Sequence, residues 1–195
     1  MNKLAIIVSL ALGVGMASQA FAANRGEIVF KGSVATSTCL IDGQEDGYKV
    51  VDFNNLTPDQ IPTAGSAEVP FSLTVSGQSD VCNASRVQIA FNPNNQNVNK
   101  ETGRLKLSGP SAASNLEIEL YKGSGGSAVK IPLGSTNSAD MPIATLTPSV
   151  PADGQPVVQR SANIPLSAKL QRVNTGTVPG SGAVFSQIDY VLAYQ

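Results

Sequence analysis

The chain closes on "SQIDYVLAYQ", Ser186–Gln195. Ile188, Tyr190, Leu192 and Tyr194 alternate there with Gln187, Asp189, Val191 and Ala193. Period 2 puts successive side chains on opposite faces, so the stretch reads as a β-strand with one strongly apolar face. Chain ends ordinarily fray, yet large hydrophobes continue here to the penultimate position. An apolar edge strand invites pairing with another chain, and proteins blunt such edges with charge, Pro or a bulge. This one carries a single charge, Asp189, and no Pro.

The same period recurs upstream. "EIVFKGSVAT" (27–36) alternates Ile28, Phe30, Gly32 and Val34, and "VPFSLTVSG" (69–77) alternates Val69, Phe71, Leu73 and Val75. "YKVVDF" (48–53), "RVQIAFN" (86–92), "GRLKLSG" (103–109), "NLEIELYK" (115–122), "AVKIPL" (128–133) and "ANIPLSAKLQRV" (162–173) read as further strands. Gly and Pro punctuate the intervals, and only "LTPDQI" (56–61) hints at a helical turn. "GSGGS" (123–127) reads as a hairpin tip and not as a linker. Many short strands with such turns predict one all-β sandwich or barrel.

The N-terminus reads as a secretory signal peptide over residues 1–22: Lys3, an apolar run over 4–17, and "AFA" at 20–22 as the cleavage site. A retained anchor is the alternative; the run is short for a span and broken by Gly13 and Gly15. Removing Lys3 from the 13 basic residues leaves 12 against 14 acidic, a net charge near −2. With no basic stripe and no Trp, nucleic acid is not an expected partner. Cys39 and Cys82 are the only cysteines. In an oxidising compartment they are expected to form a disulfide, free thiols being the alternative.

The chain has no histidine. That removes Ser-His-Asp and Cys-His catalysis and the commonest zinc sites. Ser127-Ala-Val-Lys130 matches S-x-x-K but lies in a Gly-rich turn entering a strand, not at a helix start. "DGQEDG" (42–47) crowds three carboxylates without the spacing of a calcium loop, and reads as a solvated turn. Asn83-Ala-Ser85 is a formal glycosylation sequon. No enzyme, cofactor or metal site is expected.

Several segments together resemble the subunits of chaperone–usher fimbriae, the pilins of the type 1 and F17-like major group. "GEIVFKGSVATSTCLI" resembles their start, "FSLTVSGQSDVC" their second strand running into the partner cysteine, and "TGRLKLSGPSAASNLEIELY" their middle. The end, with Gly182 fourteenth from the terminus and Tyr194 penultimate, is similar to the motif that periplasmic chaperones bind. The resemblance implies an incomplete immunoglobulin-like β-sandwich lacking its last strand, completed by a donor strand from a neighbouring subunit. It implies a donor extension over 23–36, with Ile28, Phe30 and Val34 as plugs and Gly32 where the groove is shallow, and a pilin domain over 37–195. Ile188, Tyr190, Leu192 and Tyr194, with Gly182 and the Gln195 carboxylate, would form the groove wall and the chaperone's handle. The implied partners are other copies of the subunit joined head to tail, a periplasmic chaperone, an outer-membrane usher and, through the loops, a host receptor. The implied location is a fimbrium on the cell surface, reached through the periplasm. The expected function is a fimbrial shaft subunit supporting adhesion; the alternative is a single-domain adhesin whose loops bind a host glycan or protein.

Overall fold

The computed structural model describes residues 39–45, 47–149 and 159–195, all within the compact unit Ala35–Gln195. The expected signal peptide and donor extension, with Ile28, Phe30, Gly32 and Val34, lie outside the described residues, as do the boundaries at 22 and 36.

Period-2 segments become strands: β1 (Leu40–Ile41), β2 (Val69–Gln78), β3 (Arg86–Phe91), β4 (Val98–Asn99), β5 (Arg104–Lys106), β6 (Leu116–Lys122), β7 (Val129–Lys130), β8 (Ile143–Thr145), β9 (Thr147–Ser149), β10 (Gln159–Arg172) and β11 (Tyr190–Tyr194). One sheet runs β1-β2-β10-β6-β5-β4, with β7 on β6 and β9 on β10; the other runs β11-β3-β8. Inner-face residues of both sheets form one buried cluster: Leu73 and Val75 of β2, Val87 and Ile89 of β3, Leu116, Ile118 and Leu120 of β6, and Ala162, Ile164, Leu166 and Leu170 of β10. "GSGGS" caps the β6–β7 hairpin, and "LTPDQI" holds a single 3-10 turn, Pro58–Gln60.

β10 is the longest strand, and Pro165 sits inside it. The Pro165 carbonyl accepts from the Gly123 amide at 2.9 Å, so its backbone groups face the β6 side. There the ladder with β9 ends at Ser161 and the ladder with β6 begins at Leu166, and the missing N–H falls in the gap.

One expected strand is absent from the ladders. Residues 48–53 belong to no strand among the described residues, although their inward positions follow the alternation: Val51 is half-buried and Phe53 buried, while Val50 is exposed. Alternation selects the face; a ladder needs a neighbour as well.

Cys39 and Cys82 are joined, with Cα atoms 5.0 Å apart and a sequence separation of 43. On the chain-entropy view such a closure stabilises by roughly 4 kcal/mol. Gly77 makes room for it: a Cβ at this position would lie 2.8 Å from Cys82 Cβ and 3.5 Å from Cys39 Cα. Gly77→Ala is therefore expected to destabilise the oxidised chain by about 1–3 kcal/mol, read as a lower urea midpoint with an unchanged slope.

The outer face of β6 is covered too. Glu117 and Glu119 are 3% and 4% exposed, although alternation turns them away from the core. Glu117 accepts from Asn99 Nδ2 at 2.6 Å and Thr102 Oγ1 at 2.9 Å, which fastens the 99–102 turn over the sheet. Glu119 meets Lys130 Nζ at 2.6 Å, Arg104 Nε at 3.0 Å and the Tyr121 hydroxyl. Burial pushes the Glu119 carboxyl up, but Lys130, Tyr121 and Arg104 outweigh it and hold the group down at about 2. A carboxyl depressed on folding stabilises above its unfolded value, near 4.5, and that stabilisation is lost as pH falls toward about 2. Glu119→Gln should lower stability at pH 7 by roughly 3 kcal/mol, and the gap between variant and parent should close between pH 4.5 and 2, followed by urea melts across that range.

Candidate functional site

β11 is the end strand of the three-stranded sheet, and β1 is the end strand of the larger one. Both edges lie on the same side of the sandwich, because the Tyr190 hydroxyl of β11 donates to the carbonyl of Gly47, in the turn after β1, at 2.6 Å. The candidate site is this side, open among the described residues and flanked by β11 and by the segment 48–53 that begins after Gly47.

β11 pairs antiparallel with β3 in the register Tyr190↔Phe91, Leu192↔Ile89 and Tyr194↔Val87. Its ends are pinned. The Asn92 amide donates to the Asp189 carbonyl at 2.9 Å, and Gln195 exchanges backbone bonds with Arg86, both at 3.0 Å. In an antiparallel ladder hydrogen-bonded and non-hydrogen-bonded pairs alternate. Asp189 and Gln195 therefore turn their backbone groups toward β3, while Leu192 and Tyr194 turn theirs toward the outer edge of the strand.

The side chains show the same asymmetry. Val87 and Ile89 are 0% exposed, but Tyr194 and Leu192 opposite them are only partly buried. Ile188 and Tyr190 share that condition, and the Tyr190 ring meets Phe91 edge-on at 6.5 Å between centroids. Burial pushes the Tyr194 hydroxyl above its ordinary value. On the other face Val191 is 66% exposed, which fixes the orientation of the strand.

Ile188, Tyr190, Leu192, Tyr194 and Gln195 thus come together along one strand and its approach. Gly182 stands apart from that row. It packs on the segment 111–113, where a Cβ would come 2.5 Å from the Ala113 nitrogen, next to the Ala112↔Ala183 bridge. From there the chain runs along β5, with Ser186 Oγ donating to the Lys106 carbonyl at 2.9 Å, before reaching β3.

Two features escaped the sequence reading. One terminal oxygen of Gln195 accepts from the amides of Ser85 (2.8 Å) and Arg86 (3.0 Å), so the chain end is clipped to its own β3. Gly47 is the second: nothing in "EDGYK" beyond a turn signal marks it as the acceptor for Tyr190. A cleft of about 290 Å³ adjoins the terminus, lined by Arg86, Gln88, Ser138, Met141, Ile143 and Gln195. No cluster of three or more metal-ligating side chains occurs among the described residues. The site offers a row of half-buried apolar side chains and the backbone groups of a sheet-end strand.

A family model described as fimbrial protein matches residues 28–195. The chain is 29% identical over 199 residues to the F17 fimbrial protein of Escherichia coli, with 100% of both chains covered. Among solved structures it is similar to a chain of a chaperone–usher pilus, at 19% identity and a TM-score of 0.51, over 89% of this chain and 97% of that one. It also aligns with the P pilus rod subunit PapA, at 19% identity and a TM-score of 0.49, over 87% of this chain and 100% of that one. The chaperone–usher likeness bears on the fold, which is the all-β, immunoglobulin-like pilin sandwich expected from the sequence.

The face assignment of β11 makes a paired test. Leu192→Asp sets a charge against Ile89 and should cost roughly 2–4 kcal/mol, whereas Val191→Asp on the solvent face should stay within about 0.5 kcal/mol of the parent. Urea midpoints and the yield of soluble, disulfide-bonded chain measure both.

Proposed function

The chain belongs to the fimbrial protein family, and on that footing we propose that it is a shaft subunit of a chaperone–usher fimbrium that polymerises by donor-strand exchange and supports adhesion. The observation that carries this reading is the half-buried inward row of β11 at the end of its sheet. A further strand laid along β11 would pair with the outward backbone groups of Leu192 and Tyr194 and complete the cover over their side chains. A large side chain taken from full exposure to full burial contributes roughly 1.5–3 kcal/mol, so completing the cover over this half-buried row adds part of that for each residue.

In the periplasm a chaperone strand takes that place, with basic residues holding the terminal oxygen of Gln195 that Ser85 and Arg86 do not use. An outer-membrane usher then exchanges that strand for residues 23–36 of the next copy. Ile28, Phe30 and Val34 enter as plugs, and Gly32 passes where the groove is shallow. Donor and acceptor lie on different parts of one chain, so the contact is heterologous and builds an open filament. The role is structural and non-enzymatic, and the filament stands on the cell surface.

Gly32→Leu would overfill the joint at about 1–3 kcal/mol per junction. The expected result is a normal amount of disulfide-bonded subunit in the periplasm and few or no filaments by electron microscopy. Filaments of parental length would remove the donor-strand assignment, and loss of the subunit itself would place this strand in the chain's own core. Binding of the purified, strand-complemented subunit to a glycan array would instead favour the adhesin alternative.

A further inference from the structure

Tyr190 differs from the rest of its row in having a bonded hydroxyl. Its ring already does what a phenylalanine would do there, filling the inward face opposite Phe91. The hydroxyl adds a 2.6 Å bond to the Gly47 carbonyl. That bond joins the two sheets at the side where both end, tying the start of β11 to the residue from which segment 48–53 departs.

Gly47 is suited to this contact on two separate grounds. Its φ is +64°, a region that residues with a side chain rarely enter. A Cβ built on it would also stand 2.7 Å from the Tyr190 hydroxyl oxygen and 2.7 Å from Ile41 Cδ1. A side chain at 47 would displace the tyrosine, and its absence lets the phenol reach the backbone.

We propose that the Tyr190–Gly47 contact is a latch that holds the two walls of the open side at a set spacing, making Tyr190 a positioning residue for the incoming strand. The inference rests on the donor-strand reading above, and the occupant is the 23–36 segment of a second copy of this chain. Residues 48–53 belong to no strand ladder among the described residues; Lys49 pairs with Asp42 at 2.9 Å and Phe53 is buried in the core, and the Tyr190 bond adds an anchor where the segment begins. A latched wall is ordered before the partner strand arrives, which reduces the entropy lost on binding and slows release. Removing one neutral hydrogen bond of this kind shifts such an equilibrium about fivefold.

The test uses filaments sheared from cells producing the full-length chain as the parent, Tyr190→Phe or Tyr194→Phe. Monomer release is timed in detergent at one fixed temperature. Tyr190→Phe filaments should release monomer about fivefold faster than the parent, and Tyr194→Phe filaments at the parental rate. Amide exchange over residues 48–53 should likewise quicken in Tyr190→Phe filaments alone. Equal release and exchange in Tyr190→Phe and parent would overturn the latch while leaving donor-strand exchange standing. So would an equal acceleration by Tyr194→Phe, since the effect would then be general loosening. A parental chain that is abundant but forms no filaments would overturn the donor-strand reading itself and the latch with it.

Discussion

Along the inner face of the smaller sheet the burial of the core falls off between β3 and β11. Ile89 and Val87 are sealed, and Leu192 and Tyr194 directly across the ladder are not. An apolar row that is only partly covered, at the end of a sheet, keeps part of its large side chains in water, and an extended strand laid against it would cover them. The rest of the molecule can be understood as a frame that keeps this row in place.

That frame is stiffest away from the open side. β10 pairs with β2 over most of its length and with β6 over the remainder, joining both halves of the large sheet. The disulfide fastens β1, a two-residue strand with little pairing of its own, to the turn beyond β2, and Gly77 clears the space it needs. On the outer face of β6, Glu117 holds the 99–102 turn and Glu119 gathers Arg104, Lys130 and Tyr121. Buried charges are costly unless well paired, and the strongly depressed Glu119 carboxyl shows that the pairing outweighs the burial.

Segment 48–53 and β11 have a different character. β11 is anchored at both ends, through Asn92–Asp189 and Arg86–Gln195, and so is a defined template. The opposite wall carries the correct inward residues, Val51 and Phe53, without belonging to a described ladder. Where that wall begins, the Tyr190 hydroxyl donates to the Gly47 carbonyl.

The sequence by itself determined the all-β class, the inward faces of β2, β3, β6, β10 and β11, the cysteine pair and the apolar character of the last strand. Period-2 alternation and turn residues are local signals, and the local backbone obeys them wherever a neighbour exists. The tertiary structure decided what locality cannot encode. Whether 48–53 joins a ladder depends on what lies beside it. The burial of Glu117 and Glu119 depends on cover brought in from residues 99–104 and 130. The separation of Gly182 from the β11 row depends on the path of the chain along 111–113 and β5. Most of all, Gly47 and Tyr190 are 143 residues apart in sequence, and no pattern within either segment announces the other. They meet because two sheets end on the same side, a property of the assembled sandwich and of neither strand alone.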